Sequence, residues 1–139
     1  MLERWEHYEN GGAGIGVRGY GDSEADAFEQ AALALTATMT DPQLVAARER
    51  VVIRCEAPTD DLLLATWLDA VRRRMKSSRM LFSRFEVWLE GTRLTAHAWG
   101  EPINPDRHEL RVQVKGARPA TPRVARHGDG WMAQAFMDF

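Results

Sequence analysis

One cysteine, Cys55, stands in 139 residues, so no disulfide within the chain can staple the fold. The same scarcity, with four scattered histidines (His7, His97, His108 and His127), excludes the zinc patterns that need Cys and His at fixed spacing. No apolar run approaches the roughly 18 residues of a membrane-spanning helix, and the opening MLERWEHYEN lacks the apolar core of a secretory signal. Low-complexity tracts and internal repeats are absent as well. These absences predict a cytoplasmic protein with no membrane partner. The setting of Cys55 in VVIRCEA predicts a strand position and an inert, buried thiol. What remains is 45% hydrophobic and 27% charged, the balance of a soluble globular chain. The length suits a single domain over 1–139, long enough for a real core and too short for a dinucleotide domain plus a substrate domain.

Net charge is only −2, yet residues 1–69 carry 5 Lys and Arg against 13 Asp and Glu, while residues 70–128 carry 13 against 5. Kept apart in the fold, such segments steer charged partners; mixed in space, they cancel. Both readings stay open at this level. The basic set runs through Arg72, Arg73, Arg74, Lys76, Arg79 and Arg84 and resumes at Arg111, Lys115, Arg118, Arg123 and Arg126. It could meet RNA phosphates or an acidic protein face, or be no more than a solvated surface, and no known RNA-reading motif accompanies it.

Hydrophobic periodicity organises the chain. IGVRGY, residues 15–20, reads as a strand, and Gly21-Asp22-Ser23 as a turn into a helix capped by Ser23. Ala25, Phe28, Ala31, Ala32, Leu35 and Met39 fall on one face of that helix, which the Asp41-Pro42 pair should stop near Thr40. RVVIRCE, residues 50–56, reads as a second strand. Thr59 can cap a second helix with Asp60 and Asp61 at its positive end and Arg72 to Lys76 at its negative end. Leu64, Trp67, Leu68, Val71 and Met75 form its buried stripe. Strands are then expected over 82–90 and 93–99 around a Gly91 turn, over 108–116, and over 131–139, with a proline-marked bend at Pro119 and Pro122. The order predicts an α+β fold in which two helices pack on one side of a largely antiparallel or mixed sheet.

The stretch GAGIGVRGYG contains a literal G-x-G-x-x-G in Gly14, Gly16 and Gly19. A dinucleotide fingerprint requires a buried strand before it and a helix opening directly on it. Here the preceding WEHYEN is polar and the helix begins only after Ser23, so the motif does not predict a phosphate loop. Asp106-Arg107-His108 invites an acid/base reading, but no Ser or Cys stands in a nucleophile setting beside it, and a charge cluster that fixes the loop explains it as well. Asp138, at the end of an apolar strand beside the terminal carboxylate of Phe139, could offer hard oxygens to a divalent cation, although two carboxylates alone bind weakly.

Taken in order, IGVRGYG followed by AFEQAALAL, the Thr40-Asp41 helix end, RVVIRCEAP leading to DDLLLATWL, RMLFSRFEV, AWGEPINPDRHE, the VQVKG strand and a W-x-A-x-x-x-x-D ending at Asp138 resemble the archease family over about residues 8–139. The resemblance implies an α+β accessory protein that is not itself an enzyme. Its partner would be an RtcB-type RNA ligase, which joins RNA ends in tRNA splicing and RNA repair, and its role would be to promote that enzyme's guanylylation and turnover, with RNA or tRNA as an indirect partner. It also implies a site. Asp138 and the adjacent Phe139 occupy the C-terminal metal-ligand positions, and Lys115 occupies the functional lysine of the V-K strand.

Departures from the family pattern concentrate at that site. The family's His-Thr-Ala-Asp segment, whose Asp ligates metal, aligns with Gly11-Gly12-Ala13-Gly14. Asp-Trp-Leu-Asn of the second helix stands as Thr66-Trp67-Leu68-Asp69, the acid of the proline loop as Asn104, the Glu before V-K as Gln113, and Thr-Tyr-His as Arg118-Pro119-Ala120. The changes are expected to lower negative charge and metal-binding capacity. Two readings follow: a ligase activator working through a divalent cation (calcium, magnesium or manganese) weakened by Gly14, or a metal-degenerate homologue that binds or scaffolds without delivering metal.

Overall fold

The computed structural model describes residues 4–9, 12, 14–111, 116–117 and 121–138. Its elements run β1 (Trp5–Tyr8), β2 (Ile15–Gly21), α1 (Glu24–Met39), a 3-10 turn (Pro42–Leu44), β3 (Glu49–Glu56), α2 (Asp60–Ser78), β4 (Met80–Glu90), β5 (Arg93–Pro102), β6 (Gly116–Ala117), β7 (Arg123–His127) and β8 (Gly130–Asp138). The α+β class with two helices holds, but the strands divide between two sheets. In the first, β1, β2 and β8 are neighbours, and the far edge of β8 is shared by β7 and β6; in the second, β5 lies between β3 and β4. Every pairing among the described residues is antiparallel.

Both helices begin where the sequence caps them. Ser23 Oγ accepts from Asp26 N at 3.1 Å, and Thr59 Oγ1 accepts from Leu62 N at 3.2 Å, each satisfying an orphan donor of a first turn. α1 is buried on almost every side, because it packs against β2 and β8 of one sheet and β4 of the other. Its run of alanines permits that approach, and so do the glycines facing it. A Cβ at Gly19 would run into Ala31 N and Ala27 O, and one at Gly21 into Ala27 N. Within GAGIGVRGYG, Gly19 and Gly21 are therefore contact points for a helix backbone, whereas Gly16 faces the Tyr8 ring. α2 presents Leu64, Trp67, Leu68, Val71 and Met75 to the core, as its periodicity predicts. Trp67 Nε1 donates to Phe28 O at 3.0 Å, tying the helices together.

Two short strands escape the sequence pattern, β1 and β7, and one expected strand is corrected. Residues 108–111 of the expected 108–116 strand are irregular, 112–115 lie outside the described residues, and Gly116 pairs with Asp138. The reason lies at His108, which is turned inward and fully buried.

Candidate functional site

Register brings the resemblance-derived positions to one end of the first sheet. Asp138 closes β8 opposite Gly116, while Ile15 pairs with Met137 on the β2 side. Gly14, one residue before β2, lies against the Met137 carbonyl and, through a hypothetical Cβ, 2.8 Å from Phe136 Cε1. Asp138, Gly14 and the residue following Lys115 are thus neighbours. Lys115 and Phe139 themselves, like Gly11, lie outside the described residues.

Gly14 stands where the family pattern has an aspartate. Its φ is +104°, a conformation that L side chains rarely adopt, and an added Cβ would strike the Met137 carbonyl. An aspartate fits there only if the local backbone moves.

A fourth residue arrives from α2. Asp69 Oδ1 lies 2.9 Å from where a Cβ on Gly116 would sit, and Arg72 Nε is 3.5 Å from the same oxygen, a half-buried i, i+3 pair. The expected loss of negative charge is therefore corrected in part: the acid missing at Thr66 has a counterpart one helical turn on at Asp69. The signal was present in the sequence, since positions 66 and 69 share a helix face. Its meaning needed Gly116 beside it. The Arg72 Nε is buried and makes no hydrogen bond among the described residues. Beyond it opens a groove of about 370 Å3 floored by Met39, Met75 and Leu81 and rimmed by Arg72, Lys76 and Arg111.

A hard divalent cation asks for six or more oxygen ligands. Among the described residues no three His, Cys, Asp or Glu side chains gather in a way that could hold one. Among the described residues, Asp138 and Asp69, the latter paired to Arg72, are short of that number of ligands by themselves.

His108 belongs to a different device. Its Nδ1 accepts from Asn104 N at 2.9 Å, so the ring proton sits on Nε2, which donates to Glu101 Oε2 at 3.0 Å. Glu101 also accepts from Ala46 N at 2.7 Å and Arg107 Nη2 at 2.6 Å. The Ala46 amide foremost, then His108 and Arg107, hold the Glu101 carboxyl below its ordinary 4.5 against the opposing cost of burial. Asp106-Arg107-His108 thus fixes the loop after β5. Cys55 is equally structural: burial pushes its thiol up to about 11, leaving it protonated and unreactive at neutral pH.

The described members of the basic set do not form one face; Lys115 and Arg118 lie outside the described residues. Arg72, Lys76, Arg79 and Arg111 rim the groove, Arg73 and Arg74 turn toward β3, Arg84 stacks on Trp99, and Arg126 lies over Trp131.

Comparison with known proteins follows the same lines. The profile of the archease protein family (MTH1598/TM1083) matches residues 5–139. The archease of Pyrococcus abyssi is 35% identical over 142 residues, covering 99% of each chain. That of Thermococcus gammatolerans is 36% identical over 142 residues, again 99% of each. The solution structure of Methanobacterium thermoautotrophicum protein 1598 superposes with a TM-score of 0.84 at 29% identity, covering 99% of this chain and 100% of that one. An archease from Thermotoga maritima shares the fold at a TM-score of 0.62 and 14% identity, covering 96% and 100%. No helix of the described residues is long and apolar enough to cross a membrane.

Proposed function

From the premise that this chain belongs to the archease family, we propose that it is an accessory protein of an RtcB-type RNA ligase in tRNA splicing or RNA repair. It promotes guanylylation and turnover of that enzyme and performs no reaction of its own. The observation that carries this reading is the whole-length agreement with the family, fold and sequence together, with Asp138 kept at the end of β8 opposite Gly116. The acid/base candidate His108 supports an accessory role, since both its ring nitrogens are engaged inside the fold. The cytoplasm suits a chain whose one cysteine can form no internal disulfide.

Of the two forms of that role, a specific observation favours docking without metal delivery. The backbone at Gly14 refuses the side chain that would complete a ligand set with Asp138. For calcium, magnesium or manganese the remaining donors would be Asp138 and the carboxylate of Phe139, too few for a hard cation without oxygens from a partner. The role is therefore derived without a resident cation: the chain docks, with the Asp138 end and Lys115 at the contact.

The test is guanylylation of the host's RNA ligase with and without the chain, repeated with Asp138→Ala. Stimulation by the wild-type chain is expected, with at least half of it kept by the variant. Stimulation abolished by Asp138→Ala restores the cation-delivering form, and no stimulation with no complex removes the ligase role altogether.

A further inference from the structure

The β3-β5-β4 sheet has an inner face of Ile53, Phe85, Val87, Leu94, Ala96 and Ala98, all buried under the helices. Its outer face meets solvent, and an antiparallel sheet with one wet face places polar side chains there. This one carries a line of rings. Trp88 on β4 is 47% exposed, its ring centroid lies 4.9 Å from that of His97 on β5, and His97 lies 5.7 Å from Trp99 two residues on. Arginines flank the line in register. Arg50 and Arg84 stand on either side of Trp99, and Arg54 stands beside Thr95, which pairs with Trp88. The Arg84 guanidinium rests 4.5 Å over the Trp99 ring. None of the three arginines has an ion-pair partner among the described residues. Arg73 and Arg74 border Arg54 in a shallow groove along β3. The acid within the ring line is Glu86, opposite His97; the next row outward is Glu56, Arg93 and Glu90, where Arg93 is 3.7 Å from Glu56.

We propose that this outer face, with Trp88, His97 and Trp99 as stacking surfaces and Arg50, Arg54 and Arg84 as phosphate contacts, binds single-stranded nucleic acid directly. Aromatic rings on an open sheet combined with unpaired arginines suit unstacked bases on a charged backbone. The rings of this line lie edge to face at 4.9 and 5.7 Å, unlike the parallel stack of a duplex strand at about 3.4 Å, so a base must leave that stack to lie on an exposed ring such as Trp88. That geometry favours a single strand over a duplex. Three unpaired arginines against one glutamate within the ring line select an anion over an acid-balanced protein surface. The inference stands on the sheet alone: it requires neither the ligase role nor a cation at Asp138.

The experiment is fluorescence anisotropy with a labelled oligouridylate and, separately, its duplex with oligoadenylate. The single strand is expected to bind more tightly than the duplex. Binding should weaken with a log–log salt slope of about −2 for three phosphate contacts. Trp88→Ala should weaken it about tenfold while Trp88→Phe stays within about twofold, and Arg50→Gln with Arg54→Gln should cut the slope to about −0.7. Because Trp88 is exposed, its variants should melt with the wild type, and that control is read first. No binding at low salt up to about 100 μM protein, equal affinity for the duplex, or indifference to Trp88→Ala overturns the proposal. So does a self-association that Trp88→Ala abolishes, which would assign the face to a second copy of the chain.

Discussion

Single residues decide most of what is unusual here, beginning with Gly14. Its φ of +104° and its contact with the Met137 carbonyl mean that Gly14→Asp adds a side chain where neither backbone nor space accepts one. The substitution should cost about 1–3 kcal/mol in urea unfolding and add no heat in calcium titration; a new calorimetric site at unchanged stability would show that the loop re-forms around the acid. Glu24 offers a second residue-scale test. Burial first, then the hydrogen bond and charge of Asp60, push its carboxyl from 4.5 up to about 7. Raised in the folded state, it holds its proton there after the unfolded chain has lost it, so its contribution to stability declines as pH rises from about 4.5 to about 7. Glu24→Gln should flatten that decline and gain about 1 kcal/mol above pH 7 after discounting for partial exposure. Urea midpoints across pH measure it, and an unchanged slope would mean that the pair is solvated. Glu101 runs oppositely, its support present above 4.5 and lost on acidification.

At the scale of elements, legibility followed locality. Both helices could be read from caps and 3.6-residue spacing because these signals lie within a few residues of one another, and the β4-β5 hairpin could be read from alternation around Gly91. β1 and β7 could not, since WEHY and RVARH are short and polar and become strands only through β2 and β8. The pairing of β2 with β8 joins residues near both ends of the chain, and no local pattern announces it. The G-x-G-x-x-G belongs here too. Gly16 and Gly19 sit in a strand whose neighbours, Tyr8 and α1, come too close for a Cβ, and Gly14 just before it lies against the Met137 carbonyl. Gly19→Ala should therefore lower stability by about 1–3 kcal/mol, since the helix backbone cannot yield as a side chain would. Trp67→Ala, which removes a fully buried ring and its bond to Phe28 O, should cost about 3–5 kcal/mol. Thermal or urea unfolding separates these from Trp88→Ala, which should be silent in both.

For the molecule as a whole, the acidic and basic halves of the sequence meet at Glu56 with Arg93 and at Asp69 with Arg72, and Asp61 accepts from Val124 N on the arginine-bearing β7. The pairs Arg4 with Asp22, Arg18 with Glu6, and Arg107 and His108 with Glu101 each stay within one half. What remains organised is local: an acidic and glycine-rich end around Asp138, a basic rim around the groove beside it, and an aromatic, arginine-flanked sheet on the second layer. The end around Asp138 was legible in the sequence only through family resemblance, because Gly14, Gly116, Asp69 and Asp138 lie far apart along the chain. The aromatic line was not legible, because it exists only in the register of three strands. The most direct measurement of the central claim is the multiple-turnover rate at which the host's RtcB-type ligase seals RNA ends, with the chain added in stoichiometric amount. A rise in turnover, accompanied by faster guanylylation, is the predicted result. An identical rate with and without the chain, under conditions where both proteins are folded, would contradict it.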